Sequence, residues 1–178
     1  MPERSGVLFR EVQRFRQPWL WIVILLPVMF LVSAFGYAMI QQLILGKPCG
    51  NRPLSDVALL IVGGSSILLC VGICYIFYTA ALVAEVRSDG IYVRFFPFHR
   101  SFVRIPFSEI GAYKVVTYDA LRKYGGWGIR TGKRVVVYNV SGSCGVQLEL
   151  LDGGQVLIGS QRAEEFVGAI DLTLRNSS

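Results

Sequence analysis

Histidine is almost absent from this sequence, and with it most of the general acid–base chemistry that enzymes perform near neutral pH. The single histidine, His99, follows Pro97 in a predicted turn, where a solvated side chain is its simplest role. No serine or cysteine motif identifies a nucleophile with a base beside it. We therefore expect no catalytic residues, no cofactor and no enzymatic activity.

Cysteine is also scarce, and its placement argues against a zinc cluster. The four cysteines fall into three environments, which are a short polar link, an apolar run and a turn near the C-terminus. In that order they are Cys49, then Cys70 and Cys74, then Cys144. A structural zinc site needs four ligands close together. We expect no metal site, while a disulfide between protomers through Cys49 stays open.

Charged side chains are missing from two long stretches. None occurs from Pro18 to Gly46 or from Val57 to Ala84, and each stretch exceeds the ~20 residues that a helix needs to cross a bilayer. The mean hydropathy of +0.49 is too high for an ordinary soluble domain. The sequence predicts a transmembrane hairpin and a C-terminal domain. The boundaries are an N-terminal segment 1–17, helix 18–45, a link 46–56, helix 57–84 and a domain 85–178.

The basic residues set the expected orientation. Arginines lie at both ends of the hairpin, whereas the link contains only Lys47 and Arg52. By the positive-inside rule, we expect two spans in the inner (plasma) membrane with both termini in the cytoplasm. A cleaved signal peptide competes for the first run, but that run continues past a 7–15-residue apolar region. The arginines are Arg4, Arg10, Arg14 and Arg16 before the hairpin, and Arg87, Arg94, Arg100 and Arg104 after it.

The positive net charge does not indicate a nucleic acid as partner. From residue 85 onward, twelve basic side chains are balanced by nine acidic ones, and no dense basic run occurs. The excess near the helix ends fits anionic headgroups, although orientation in the membrane explains it equally well. We expect membrane lipids as partners and no nucleic acid.

Beyond the second apolar run, the hydrophobic period becomes that of β-strands. At least six β-rich runs are separated by turn residues such as Ser-Asp-Gly at 88–90 and Asp-Gly-Gly at 152–154. The last segment returns to helical spacing, with Ala163, Phe166 and Ile170 on one face. We predict a membrane α + β protein whose C-terminal part is a small antiparallel barrel or sandwich, built as a meander and closed by one helix.

The chain resembles a group of prokaryotic membrane proteins in which two N-terminal transmembrane helices precede a pleckstrin-homology-like (PH-like) domain. The resemblance covers nearly the whole chain. It rests on "VQRFRQPWLW", "IPFSEI", "YGGWGIR", "GVQLELLDGGQVLIGSQ" and the final helix. It implies a PH-like fold and a membrane location more firmly than an activity.

The segment "YGGWGIR" does not have the spacing of a phosphate-binding loop. Gly126 and Gly128 are followed by Gly132, one residue too far for a dinucleotide fingerprint, and no Gly-Lys-Ser/Thr sequence follows. Two interpretations stay open. In one, the glycines bend a bulged strand while Trp127 covers the core. In the other, Trp127 and Arg130 form a contact surface for lipid, peptide or another subunit.

The stretch "RFFPFHRSFVR" provides a second candidate surface, for lipid. The resemblance to PH domains implies that basic residues around the first hairpin hold headgroups. This sequence departs from the usual K/R-x-R ending, since three residues separate Arg100 from Arg104, and we expect contact with generic anionic lipid. The lipid-contact candidates are Arg94, His99, Arg100, Arg104, Arg14 and Arg16.

Small side chains recur every four residues in the second apolar run, and such ladders let helices pack closely in membranes. Ser66, Cys70 and Cys74 form this ladder, and Ala34 and Ala38 repeat the spacing in the first run. The partner of the ladder is either the first helix or another copy of the chain.

Together these patterns predict a non-enzymatic, membrane-anchored scaffold or interaction module. We expect it to self-assemble as a homo-oligomer or to bind protein partners at the inner face of the cell membrane. Two alternatives stay open. One is an oligomeric pore or an accessory subunit of a transport system, with Gln41 and Gln42 lining an opening. The other is an anionic-lipid-binding membrane organiser.

Overall fold

The structure, a computed structural model, describes residues 6–48, 50–119, 126–132 and 134–176. The chain separates into a helical unit, residues 16–78, and a β unit built from the residues before 16 and those from 79 onward. Some predicted features lie outside the described residues. They are Arg4, Cys49 and the first two residues of "YGGWGIR".

The helical unit contains two long apolar helices. Helix α1 spans Pro18–Met39 and continues into one π-helical turn, Ile40–Ile44, and helix α2 spans Asp56–Thr79. Proline suits the first position of α1 because its missing N–H would have no partner within the helix there. Both helices are long and apolar enough to cross a membrane.

The second apolar run does not stay helical as far as the predicted limit, Ala84. Helix α2 ends at Thr79, and strand β2 (Ala81–Arg87) begins two residues later. β2 has a neighbouring strand on each side, and Leu82 and Val83, on its opposite faces, are both buried. A strand buried on both faces appears as a continuous apolar run, which periodicity alone does not distinguish from a helix.

The first sheet of the β unit is an antiparallel meander in the order β1-β2-β3-β4. Its edge strand β1 precedes α1, whereas the other three strands follow α2. The residues of β1 alternate between exposed and buried, as expected for a half-buried strand, although this strand was not predicted. The strands are β1 (Val7–Arg14), β2, β3 (Gly90–Phe96) and β4 (Val103–Pro106).

The second sheet has the order β5-β8-β9-β7-β6 and is mixed. β5, β8 and β9 pair antiparallel, but β7 and β9 pair in parallel, which differs from the predicted meander. The chain reverses direction after β7 and again after β8, so β9 runs in the same direction as β7. The described strands form two open sheets and no closed barrel. The second sheet comprises β5 (Ile110–Thr117), β6 (Gly128–Thr131), β7 (Val135–Asn139), β8 (Cys144–Leu150) and β9 (Gln155–Gly159).

Helix α3 (Ala163–Asn176) packs against both sheets, in contact with β1, β2, β5 and β8. The predicted apolar stripe is confirmed, since Phe166 and Ile170 are fully buried. Phe9 of β1 stacks on Phe166 with the ring centroids 4.9 Å apart. Full burial of a phenylalanine side chain is worth about 1.5–3 kcal/mol, so this pair contributes substantially to joining β1 to α3.

A buried polar network also joins β1 to the segment before α3. Glu11, 8% exposed, accepts hydrogen bonds from Ser160 Oγ at 2.5 Å and from the backbone N–H of Gln161 at 2.9 Å. Gln13 Nε2 donates to Glu11 Oε1 at 3.1 Å and to the carbonyl of Gly159 at 2.7 Å. The carboxylate thus satisfies donors close to a helix N-terminus, where negative charge is also favoured.

Candidate functional site

Five arginines share the outer face of the first sheet. Side chains alternate across a strand, and the strand register places Arg10 and Arg14 of β1 on the same face as Arg87, Arg94 and Arg104. We call this surface the arginine face. Clustered positive charge of this kind attracts anions.

Three arginines of this face have carboxylate partners. Glu85, 4% exposed, forms ion pairs with Arg10 at 3.3 Å and Arg87 at 2.6 Å. Arg104 pairs with Asp89 at 3.0 Å. A buried carboxylate without such partners would be strongly destabilising. Glu85 therefore fixes two arginines in position while neutralising only one positive charge.

Aromatic rings orient two of the guanidinium groups. Arg87 lies over the ring of Tyr92, with Cζ 4.2 Å from the centroid, and Arg94 lies over Phe102 at 4.9 Å. Stacking of this kind fixes the plane of the guanidinium and leaves N–H groups at its rim for an anion. Burial and a hydrogen bond to Asp89 raise the pKa of Tyr92. Among the described residues, no carboxylate lies within ion-pair distance of Arg94.

The loop between β3 and β4 leaves the sheet at the end where β1 ends and β2 begins. The register shows this, because Phe96 pairs with Ala81, which also pairs with Arg14. In the loop, Phe98 is 68% exposed, and Phe96 at its start is 39% exposed. Arg14 and Arg100 are exposed as well. This end of the sheet therefore combines two accessible aromatic rings with two basic side chains.

Of the other members of the predicted lipid-contact group, His99 lies in the same loop, whereas Arg16 precedes α1 and Arg104 belongs to β4. The backbone N–H of His99 donates to the carbonyl of Phe95 at 2.7 Å, and its ring contacts Tyr138 edge-on at 5.9 Å. His99 is thus half-buried instead of solvated. Arg16 is exposed but belongs to the helical unit, and Arg104 lies near the turn that joins β2 to β3.

The glycine-rich segment leads into β6 at the edge of the second sheet. Gly126 and Gly128 have φ angles of +124° and +118°, which side chains disfavour. The N–H of Gly128 donates to Asn139 Oδ1 at 2.9 Å. Trp127 is half-buried and covers a small apolar cluster. The buried members of this cluster are Tyr118, Val137 and Leu157.

Arg130 is exposed on β6 and borders a shallow groove of about 350 Å³. Thr131, Gln147 and Gln155 also line this groove. These side chains offer hydrogen bonds but no nucleophile with an adjacent base. Within the described ranges, no group of three His, Cys, Asp or Glu side chains is placed to hold a metal ion.

The sequence was also compared with known proteins. Residues 1–175 match the model of a family described as a family of unknown function, DUF6141. The chain belongs to this family. No curated protein and no solved structure matches it. Membership in DUF6141 brings no activity, ligand or partner with it, so functional arguments rest on the geometry of the chain.

In the helical unit of this DUF6141 member, α1 and α2 approach closely at a glycine. A Cβ atom on Gly63 would lie 2.6 Å from Met39 Cε and 3.1 Å from Phe35 Cδ1. A side chain at residue 63 would have to displace these neighbours, so glycine permits the helices to pack at this distance.

The predicted ladder of small residues is partly buried. In α2, Cys70 is buried, whereas Ser66 and Cys74 are half-buried. In α1, Ala38 is half-buried and Ala34 is exposed. The contact that the structure shows between the two helices lies at Gly63, Phe35 and Met39, and Ala34 is exposed.

A glutamine joins the end of α1 to the start of α2. Gln42 Nε2 donates to the carbonyl of Leu54 at 2.6 Å and to Asp56 Oδ1 at 2.7 Å. Asp56 lies in the first turn of α2, where a negative charge interacts favourably with the helix dipole. The amide N–H groups of Gln42 thus donate to the link and to the first turn of α2.

The sequence alone does not point to several residues of the arginine face and of the β3–β4 loop. In the sequence, Arg10 and Arg87 indicate only the orientation of the hairpin, and no pattern points to Phe98 or Phe102. The alternation in "VLFREVQR" could have indicated β1, and with it the position of Arg10. The stacking of Arg94 on Phe102 had no local signal, because the two residues belong to a strand and to the loop after it.

Proposed function

We propose that this chain is a non-enzymatic, membrane-anchored scaffold that self-assembles or binds protein partners at the inner face of the cell membrane. The observation that carries the proposal is the pairing of β1 with β2. One strand precedes both apolar helices and the other follows them. If both helices cross the membrane, the chain returns to its starting side, and the β unit can fold there, tethered at two points.

The distribution of basic residues supports a cytoplasmic position for the β unit. Arg14 and Arg16 precede α1, and Arg87 follows α2 at the end of β2, whereas the link carries only Lys47 and Arg52. Basic residues near the ends of spans favour the cytoplasmic side. We infer a two-span hairpin with both termini in the cytoplasm.

We also infer a PH-like plan for the β unit, as the resemblance to prokaryotic two-helix proteins implies. The order of elements supports it: a four-stranded meander, a second sheet with an antiparallel β5-β8-β9 part, and a C-terminal helix against both sheets. The β6–β7 hairpin would be an addition to this plan, since it joins β9 through a parallel pairing.

Strand β6 is the surface that we propose for assembly. The N–H of Gly132 donates to the carbonyl of Val135 at 2.7 Å, and hydrogen bonds alternate along an antiparallel pair. The N–H of Thr131 is therefore directed away from β7, toward the edge of β6 along which the described residues place no further strand. Edge strands of this kind are templates for pairing with another chain, and Trp127 and Arg130 would border the contact.

Native mass measurement of the full chain in lipid nanodiscs tests assembly. We expect the wild-type chain to be oligomeric and Thr131→Pro to be mainly monomeric, because proline removes an N–H from the open edge and leaves the pairing with β7 intact. Thr131→Ala retains the N–H and should assemble normally. Equal assembly of both variants would exclude the β6 edge. A monomeric wild-type chain that crosslinks to no protein in membranes would refute the scaffold itself.

Thiol labelling tests the orientation. Cys144 is exposed in the β unit, so in a Cys49→Ser background a membrane-impermeant maleimide should label it only after the cells are permeabilised. Labelling of Cys144 in intact cells would contradict the cytoplasmic placement.

The arginine face favours one alternative function, the anionic-lipid-binding organiser. Arg94 is oriented by Phe102 and has no carboxylate partner among the described residues. Lipid retained by the purified chain should be enriched in anionic species, and Arg94→Ala should reduce that enrichment. Retention of neutral and anionic lipid in bulk proportions would remove this alternative.

The pore alternative gains no comparable support. The side-chain amide of Gln42, which would line the opening, donates instead to Leu54 and Asp56.

A further inference from the structure

One end of the first sheet carries both connections to the apolar helices. Three residues separate Arg14 of β1 from Pro18 of α1, and one residue separates Thr79 of α2 from Ala81 of β2. A chain extends at most ~3.6 Å per residue, so Ala81 lies within about 7 Å of the last residue of α2. At 24 residues, α2 is about 36 Å long, against a hydrocarbon core of about 30 Å. A spanning α2 therefore ends at the membrane interface.

The strand register brings the β3–β4 loop to this same end. Ala81 pairs with Phe96, the last residue of β3, and neighbouring strands lie about 4.8 Å apart. The loop after Phe96 therefore begins beside the connection to α2. The turn at Ser88 lies at the opposite end of the sheet, about 20 Å away along β3.

The loop has the chemistry of a membrane-interface segment. Phe96 and Phe98 expose apolar rings beside the exposed Arg14 and Arg100. Aromatic rings concentrate at the boundary between headgroups and acyl chains, and basic side chains are drawn to anionic headgroups. The ring of Phe98 also packs on buried Phe95, with centroids 5.9 Å apart, so contact with the core holds this ring in place.

We propose that the β3–β4 loop docks into the lipid surface of the membrane that α1 and α2 cross. The rings of Phe96 and Phe98 enter the headgroup–acyl boundary, while Arg14 and Arg100 bind headgroup phosphates. Lipid is a better occupant than a second protein copy, because the loop lies at the helix-bearing end and contains no acidic residue. The inference rests on the proposed anchoring and adds a third contact between the chain and the bilayer.

Fluorescence quenching in nanodiscs containing anionic lipid tests this contact. The full chain, with its four native cysteines replaced by alanine, receives an environment-sensitive fluorophore at Phe98→Cys. The matched control carries the fluorophore at Ser88→Cys, an exposed residue at the other end of the sheet. We expect shorter-wavelength emission and quenching by nitroxide-labelled lipid at residue 98, and neither at residue 88. Arg100→Cys provides a second probe of the loop, and a headgroup-proximal nitroxide should quench it.

The possible failures point to different errors. Absence of quenching at both loop positions overturns the inference, as does equal quenching at Ser88→Cys. Shorter-wavelength emission at Phe98→Cys without quenching also overturns it, because the fluorophore then lies against protein. If the unlabelled chain cannot be recovered in nanodiscs and is extracted from membranes by alkaline carbonate, the proposed anchoring fails and the inference fails with it.

Discussion

Replacing Glu11 by alanine should loosen helix α3, although Glu11 and Ser160 are 149 positions apart along the chain. The change removes three hydrogen bonds to a buried carboxylate, and two of them, from Ser160 Oγ and from the N–H of Gln161, come from the segment that leads into α3. Hydrogen bonds to charged groups are worth about 1.5–3 kcal/mol each, and a buried donor left without a partner costs about 1–3 kcal/mol. Because these losses overlap and water can enter the vacated space, we expect a loss of about 3 kcal/mol.

Hydrogen–deuterium exchange of the full chain in detergent micelles measures this loss at α3 itself. The N–H of Phe166, which donates to the carbonyl of Arg162 at 3.0 Å, reports on its first turn. A loss of about 3 kcal/mol predicts roughly 100-fold faster exchange, since 1.4 kcal/mol is a factor of ten. Glu149→Ala is the matched control, because Glu149 pairs with Lys114 at the surface. Such pairs contribute about 0–1 kcal/mol, so exchange in α3 should change by less than about five-fold.

Two results would refute the reasoning about Glu11. One is unchanged exchange of α3 in Glu11→Ala, and the other is equal acceleration in Glu149→Ala. The variant Glu11→Gln separates charge from shape. It retains one acceptor oxygen in a side chain of the same size, and we therefore expect exchange between that of the wild type and that of Glu11→Ala.

Two further predictions concern the apolar helices and a tyrosine beside α3. Gly63→Val should lower the temperature at which helicity is lost in detergent, because the new side chain meets both Met39 and the less yielding ring of Phe35, 3.1 Å from the Cβ position, and overpacking costs about 1–3 kcal/mol. Gly64→Val, where the Cβ position is open, should have little effect, and equal destabilisation would contradict the close contact. Tyr113 donates a hydrogen bond to Asp171, which, together with burial, raises the pKa of the phenol. The stability gained from the neutral phenol is therefore complete below its ordinary pKa of about 10 and is lost as pH rises through the higher folded value. Difference absorbance against Tyr113→Phe should show its tyrosinate only above that ordinary pKa, and titration at the ordinary value would contradict the hydrogen bond.

Elements with a strong local pattern could be predicted from the sequence. The two uncharged runs and the apolar stripe of α3 are properties of neighbouring residues, and both kinds of helix are present. Strand β1 depends instead on a partner, β2, that lies beyond both apolar helices. The end of α2 at Thr79 depends on the same pairing, because Ala81–Ala84 are apolar enough for either structure. The pairing of β1 with β2, which are far apart in the sequence, therefore determines strand β1 and the end of α2, which the local pattern does not.

The candidate site was less predictable than the fold. The arginines are visible in the sequence, but the set that shares one face depends on the register of four strands. Register places Arg10 opposite Glu85, whose other partner, Arg87, is two residues further along the same strand. It also separates Arg104 from Arg100, although the two are close along the chain. Side chains such as His99, which packs on Tyr138 of the other sheet, depend on tertiary structure that no short motif records.

The facing positions of Arg14 and Ala81 suggest how the β unit could be produced without the apolar helices. A polypeptide that starts at residue 85 would lack β1 and half of β2, and Phe166 would lose its stacking partner Phe9. A two-residue Asn-Gly turn between Arg14 and Ala81 would instead join β1 and β2 as an ordinary hairpin. In this sense the two apolar helices are a long insertion in a β-turn, and circular dichroism of the shortened chain would test whether the β unit folds without them.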